Sequence, residues 1–549
     1  MHLSRKSFVL GVACVSWLVG CGAGPGDSNE FQDGVTPVVT DPGSTGDGTW
    51  MGEPVTEGCA PDAGSPLDGG SPTDAGSPSD VVFVKRLTRF HTSVGIAERA
   101  EDLSANPPEI LVHDGASFLV IQGSAVPGGW RFSGVPEGSY YLSSGSRYVV
   151  TDAREVDIGD NRIGRPDTVH VETGNGGSMP LQLNLLNLAP WQSGTRLHLN
   201  STQVEFQGEV SLFDVIPPGS TSLNTSAADF SSSVAMTLPV LEAEKGDRFY
   251  VNQVSPFPAG RTPDGRPLTF FSVERSLEVA PFDFVPDGFS PLPVTGRLMP
   301  AKVREFPIEW RLPTFAQWTS EVHPNAQPTS ASFNVSPTPY GVDESWLGYA
   351  GELLTLRIPS GAIFDYTGRL KFGNPYPASW GVLSNLSFFY RVIETVPDGS
   401  GRSVALSATN GGFDTLDSVI SGPVVPRVSP PRVLTIDGLK ASTPREVGTA
   451  SPVIAWEPPA LGSPDSYRVG LFRYETDLGM TVPAGYLYVP GSIHQVRLPP
   501  DMLQPDSIYY LRVTAVSAPR YDVKRSPFKS ADRMPHYNAD AISSLFTTP

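Results

Sequence analysis

Leu181, Leu183 and Leu185 alternate with Gln182 and Asn184, and Leu197 and Leu199 flank His198. This period-two pattern limits what the chain can become. Successive strand side chains point to opposite faces, so alternation of this kind leaves one face buried and the other wet. Long amphipathic helices, which repeat every 3.6 residues, are absent. Gly and Pro each number 55 of the 549 residues, well above average usage. That excess suits short strands joined by many turns. Strands at regular intervals with turn signals predict sandwiches or barrels, and the reading adopted is an all-β chain of tandem β-sandwich domains. No repeat of propeller-blade length interrupts it. Hydrophobic residues are 39% and charged residues 17% of the chain, so globular cores are feasible, and the length predicts several domains.

The sandwiches are expected to start at 81. Residues 22–80 are dense in Gly, Pro, Ser, Thr and Asp and contain a repeat: Asp62-Ala-Gly-Ser-Pro66, Asp68-Gly-Gly-Ser-Pro72 and Asp74-Ala-Gly-Ser-Pro78. Such a composition buries too little apolar surface to offset its ordering entropy. The expectation is a disordered tether with an end-to-end distance of about 45 Å. Beyond it, boundaries are expected near 166, 300 and 428. They delimit sandwiches at 81–166, 167–300, 301–428 and 429–549.

The formal net charge of −18 argues against recognition of a nucleic-acid backbone, which needs clustered Lys and Arg. The three cysteines are Cys14, Cys21 and Cys59, so the region beyond 80 contains no thiol. The sandwiches must hold together by packing and hydrogen bonding without cross-links. Cys59 is read as an idle exposed thiol, with intermolecular pairing as the sharper alternative.

Arg5 and Lys6 precede an apolar run, Phe8 to Val19, which is too short to span a bilayer. This is the layout of a secretory signal peptide at 1–20. Its end, Leu18-Val19-Gly20-Cys21, resembles the lipobox of bacterial lipoproteins. The resemblance implies a thioether-linked diacylglycerol on Cys21, cleavage before it and acylation of the new amino terminus. Several acyl chains would anchor the protein stably, where a single chain gives marginal binding. In the same family, Asp after the Cys argues for inner-membrane retention. Gly22 stands there instead, so the expected location is the outer membrane or cell surface.

Val81-Val82-Phe83-Val84 opens the first sandwich with a β-branched run, and Ser117-Phe-Leu-Val-Ile121 reads as a buried strand. The run Trp130-Arg-Phe-Ser-Gly-Val-Pro-Glu-Gly-Ser-Tyr-Tyr-Leu142 resembles the late hairpin of carboxypeptidase regulatory-like β-sandwiches. Pro217-Pro-Gly-Ser-Thr-Ser-Leu223 repeats its spacing, and Pro397-Asp-Gly-Ser400 echoes its start. At the other end, Leu503-Gln-Pro-Asp-Ser-Ile-Tyr509-Tyr-Leu-Arg-Val513-Thr-Ala515 resembles the fibronectin type III pattern. Trp456 falls where that family has its strand B tryptophan, and Tyr467-Arg-Val469 matches strand C. The resemblance implies that Trp456, Tyr467, Leu511 and Val513 point inward and that Tyr509 makes a tyrosine corner. It covers roughly 430–519. The long tail after Arg520 departs from the family, and Ser544-Leu-Phe546 is the candidate last strand.

No catalytic, cofactor-binding or metal-ligating motif stands out. The eight His are scattered. There is no His-Glu-x-x-His, no Cys pair, no Gly-x-Ser-x-Gly elbow, no phosphate-binding loop and no calcium loop. Asp152, Asp157, Asp160 and Asn161 cluster locally, read as a solvated loop sooner than a calcium site. A facing carboxylate pair for glycoside hydrolysis leaves no mark in sequence. Trp310, Trp318, Trp346, Trp380, Tyr340 and Tyr349 crowd one region, with Phe372-Gly-Asn-Pro-Tyr376 nearby. Tryptophan usually serves the core; a carbohydrate platform would require these rings to form an exposed strip. The reading that follows is a non-enzymatic surface or periplasmic lipoprotein for binding, adhesion or envelope structure. Its partners would be the membrane, through Cys21, and a protein or glycan ligand. The alternative is a secreted-side hydrolase of polysaccharide or peptide with attached binding modules.

Overall fold

The computed structural model describes residues 80–549 apart from 116, 174–176, 232–236, 341–350 and 530–533. The lipobox, the repeat tether and all three cysteines lie outside them. The chain is all-β: the longest helix among the described residues is Leu312–Ala316. No helix there is long and apolar enough to cross a membrane. The period-two reading holds at atomic level. Leu181, Leu183, Leu185, Leu197 and Leu199 are fully buried, while Gln182 and Asn184 face solvent.

In the first sandwich Val82–Lys85 lies between Glu155–Asp157, parallel, and Gly129–Phe132, antiparallel. The opposing sheet contains Ser117–Ile121, Glu109–Asp114, Tyr140–Ser144 and Arg147–Thr151 in that order. Two expectations change here. Ser117–Ile121 is an edge strand, not a buried one: Leu119 and Val120 are 61% and 44% exposed, because only one side of the strand is paired. The run from Trp130 to Leu142 is not a hairpin. Gly129–Phe132 and Tyr140–Ser144 belong to different sheets, and Gly134 to Gly138 carries the chain across between them. Both glycines take positive φ (76° and 99°), where a side chain would be strained. The crossover lets Phe132 and Tyr140 enter one core from opposite sides.

The middle of the chain uses longer strands than its turn density suggests. Phe249–Arg261 and Pro267–Val279 form a hairpin of two 13-residue strands. Gly381–Thr395 runs for 15 residues. The length has a packing reason. Phe249 and Val251 enter the core of 167–300, whereas Tyr250, Val254, Leu268, Phe270 and Val273 enter the core of 301–428. The register shift between Gln253 and Val254 lets one ribbon bend between both sandwiches. A division at 300 is therefore crossed by shared packing.

The last sandwich has one sheet of Arg432–Ile436, Val453–Glu457 and Gln495–Arg497. The other contains Met480–Pro490, Ser466–Glu475, Ile508–Ser517 and His536–Ile542. This is a fibronectin type III-like β-sandwich. Trp456, Tyr467, Leu511 and Val513 are buried, and the Trp456 and Tyr467 rings meet edge to face at 5.1 Å. The Tyr509 hydroxyl accepts the Gln504 N–H at 2.9 Å, the tyrosine corner. The long tail returns two strands, one before Ser544-Leu-Phe546 and a last short one that begins at Phe546 and also pairs with Ile508–Tyr509. His536–Ile542 pairs with Ile508–Ser517, and Phe546–Thr547 then runs parallel to Arg445–Glu446.

The sandwiches are not beads on a string. Arg147–Thr151 of the first pairs in parallel with Met480–Pro490 of the last. His536–Ile542 of the last pairs with Ser403–Thr415 of the third. Leu354–Ile358 of the third pairs with Pro267–Val279. One hydrogen-bonded ladder thus runs through all four, and the first and last sandwiches are joined directly.

Candidate functional site

The acidic cluster of the first sandwich is taken apart by its partners. Asp157 Oδ2 meets Lys529 Nζ at 2.9 Å, with side chains 8% and 5% exposed. Its Oδ1 accepts the N–H groups of Leu87 and Gly159. Asp152 pairs with Lys524, Asp160 with Arg147, and Asn161 Oδ1 lies 3.2 Å from His91 Nε2. A cation site needs several oxygens converging on one point, and here each side chain is spent separately. Among the described residues no group of three or more His, Cys, Asp or Glu could hold a metal ion. The cluster's work is at a junction. Lys524 and Lys529 come from the chain's last segment, where the Thr151 hydroxyl also donates to the Lys524 carbonyl. Arg147 stacks over Phe528 at 4.2 Å.

The aromatic group is also redistributed. Trp346 and Tyr349 lie outside the described residues. Trp310 is fully buried in the third core. Trp318 is half-buried beside a short helix, Thr319–Val322. Tyr340, Tyr376 and Trp380 come together, joined by Tyr250, which the sequence reading missed. Tyr376 and Trp380 stack at 4.8 Å, and Tyr250 meets Tyr376 edge to face at 4.9 Å. The Tyr376 hydroxyl is bonded by Asn252 and Asn200, and burial pushes its pKa up. Burial also raises Tyr250, to about 12. Tyr250, Tyr340, Tyr376 and Trp380 pack on one another and form no exposed strip, so these four serve the seam between second and third sandwiches. Tyr250 was hidden in sequence because its neighbours Phe249 and Val251 face a different core.

A base, a hydroxyl and a carboxylate do meet at His323, Ser544 and Glu394. His323 Nε2 lies 3.1 Å from Ser544 Oγ and 3.9 Å from Glu394 Oε1. The tautomer decides what this group can do. His323 Nδ1 accepts the Asn325 N–H at 3.1 Å, so Nδ1 carries no proton. Burial lowers the ring's pKa and keeps it neutral. The one ring proton therefore sits on Nε2 and is donated towards Ser544. A general base for a serine nucleophile needs a lone pair at that nitrogen and an acid on the other one. Glu394 Oε2 accepts the Leu545 N–H at 2.7 Å instead. The three residues are 2%, 1% and 8% exposed, and they latch the third sandwich to the tail of the last. Sequence reasoning missed them because His323 and Ser544 are 221 positions apart.

Arg165 ties the first sandwich to the second. Its guanidinium grips Asp247 through both carboxylate oxygens at 3.0 and 2.8 Å, and reaches Glu242 and Asp167. Lys245 first, then Arg165, holds Asp167 down at about 2. Arg162 pairs with Glu205 in the adjoining cleft. These cations are already matched to carboxylates, so the cleft offers no net charge to an anion.

The chain matches no protein-family model, and no curated protein matches it. Among solved structures it is similar to the crystal structure of the FN1–FN3 domains of chicken CNTN1. The identity is 9% and the TM-score 0.13, over 67% of this chain and 99% of that one. So loose an overlay carries no argument. The fibronectin type III-like character of 429–549 rests on its own strand order and tyrosine corner.

Proposed function

We propose that this protein is a lipid-anchored, non-enzymatic binding protein of the cell envelope, serving adhesion, recognition or envelope structure. Cys21 carries the lipid, and the outer membrane or cell surface is the location. The observation that carries the binding reading is the single ladder through all four sandwiches. It makes a wide, rigid surface, and such a surface suits a large ligand better than a small one, which needs an enclosing pocket. The geometry of His323 and Ser544 adds support, since that pair is closed and holds its proton on the wrong nitrogen for hydrolysis.

The test is membrane partition. The native chain is expected to stay with membranes through an alkaline carbonate wash, and Cys21→Ser to move to the soluble fraction. A Cys21→Ser protein that still sediments with membranes would end the tether reading.

A further inference from the structure

We propose that the free edge of strand Ser117–Ile121 docks a segment of this chain's own tether, Val35–Thr40, as an added β-strand. The docking is independent of the lipid on Cys21; only its effect on the length of the leash rests on that reading.

Ser117–Ile121 pairs with Glu109–Asp114 on one side, and among the described residues no strand pairs with it on the other. Asp114 and Ser117 close a two-residue turn, and such a closing pair exchanges main-chain hydrogen bonds. Bonding alternates from there, so Leu119 and Ile121 spend their main-chain groups inside the hairpin. Phe118 and Val120 therefore aim theirs over the open edge. Leu119 and Val120, on opposite faces, are both exposed.

This edge lacks the usual protection. Natural edges carry charges, proline or bulges. Gly95–Ala100 in the same sandwich has Glu98 and Arg99, each ion-paired, and Lys302–Arg311 has Lys302, Arg304, Glu305 and Pro307. Ser117–Ile121 has no charge, no proline and no register shift. An edge this bare accepts a strand that reaches it, so proximity decides what covers it.

Val35–Thr40 lies outside the described residues, and its place in the chain argues for it. The tether enters this same sandwich, where the Asp80 carbonyl accepts the Val135 N–H at 2.8 Å. Residues 41–79 have a root-mean-square reach of about 35 Å. A sandwich as long as 81–166 is about 30 Å across, from a radius of gyration of ~12 Å. The reach matches the span, which gives a local concentration in the millimolar range. A second copy has no such advantage, because five edge residues bury far less than the roughly 1,000 Å² that a stable pair of proteins needs. Val35-Thr-Pro-Val-Val-Thr40 is also the tether's densest β-branched run, and it is uncharged like the edge it meets. Pro37 fixes its parity. Proline has no N–H and sits in an outer strand with that position facing away. Thr36, Val38 and Thr40 then turn their main-chain groups towards Phe118 and Val120. Docking leaves 22–34 as free leash, with about 20 Å of reach, and a competing strand would release the rest.

The test is hydrogen exchange resolved to single amides on the full chain. The Phe118 and Val120 amides are expected to be protected in the native chain. Val38→Pro removes an inward N–H and should speed their exchange about tenfold, the loss of one or two net hydrogen bonds. Val39→Pro, whose N–H faces away, should leave them within about twofold of native. Both substitutions lie in the tether, so the sandwiches are expected to fold and melt as before. Free exchange at Phe118 and Val120 in the native chain, or protection that survives Val38→Pro, would overturn the inference. Protection that fades on dilution as a dimer dissociates would overturn it too, and would assign the edge to a second copy. Each of these outcomes leaves the anchored-binder reading intact, because the carbonate wash tests that separately.

Discussion

Replacing Lys529 by methionine should open the joint between the first and last sandwiches. Lys529 Nζ is 2.9 Å from Asp157 Oδ2, and both side chains are less than a tenth exposed. Methionine keeps the stem's volume but strands the Asp157 carboxylate without its counter-charge. Breaking a buried pair from one side costs about 3–5 kcal/mol, because the remaining charge is neither solvated nor matched. Asp157 Oδ1 still accepts two backbone N–H groups, which places the expected cost at the lower end, ~3 kcal/mol. Adding Asp157→Asn removes the stranded charge and keeps an oxygen for those donors. The double variant should therefore recover most of the loss, leaving about 1 kcal/mol. Urea unfolding gives the free energies, and hydrogen exchange at Arg147–Thr151 reads the joint itself, since that strand pairs with Met480–Pro490. A Lys529→Met protein within about 1 kcal/mol of native, with unchanged exchange at those amides, would refute the claim that this pair clamps the two sandwiches.

Two further outcomes follow from buried groups at the seams. Burial, then the charge of Arg468, lowers His536 to about 3, and burial with Arg162 lowers His170 to about 4. Both lie below the usual histidine value near 6.5, so the unfolded chain binds more protons between those limits. Stability should be full above about pH 6.5 and fall as pH drops towards 4, with a slope of up to ~1.4 kcal/mol per pH unit per histidine. Melting curves across that range check this, and His536→Phe should flatten the slope. Gly412→Ala should separate the third sandwich from the last, because its Cβ would stand 2.3 Å from the His536 carbonyl oxygen. The expected loss is about 1–3 kcal/mol, read by calorimetry, with exchange rising in Ser403–Thr415.

Much of the local structure is legible in the residues, and most of the assembly is not. Alternation marks Leu181 to Leu185 correctly because one face of that strand is buried throughout. The fibronectin type III-like module is legible because Trp456, Tyr467 and Tyr509 occupy positions fixed by sandwich geometry. Ser117–Ile121 misleads because an apolar run looks alike in the centre and at the edge of a sheet, and only its neighbours tell which. Trp130 to Leu142 misleads because a Gly-Pro-Gly turn suits a hairpin and a sheet-to-sheet crossover equally. The joints are illegible for a common reason. Lys529 with Asp157, and His323 with Ser544, are chosen by tertiary proximity, and no local pattern records a partner hundreds of positions away. The aromatic group is half legible: crowding shows that the rings are neighbours, while which core each enters depends on strand parity.

The joining of first to last sandwich sets a timetable for biogenesis. A chain delivered amino end first presents Arg147–Thr151 long before Met480–Pro490 exists to zip onto it. The Thr151 hydroxyl waits for a carbonyl 373 residues downstream, an interval of tens of seconds at ordinary synthesis rates of ~5–20 residues per second. Throughout that wait Leu111, Tyr141, Tyr148 and Val150, which finish in the last core, have nothing to cover them. An unzipped strand and four greasy side chains in a crowded cell invite aggregation, so a holding chaperone should occupy that face until the carboxyl-terminal module arrives.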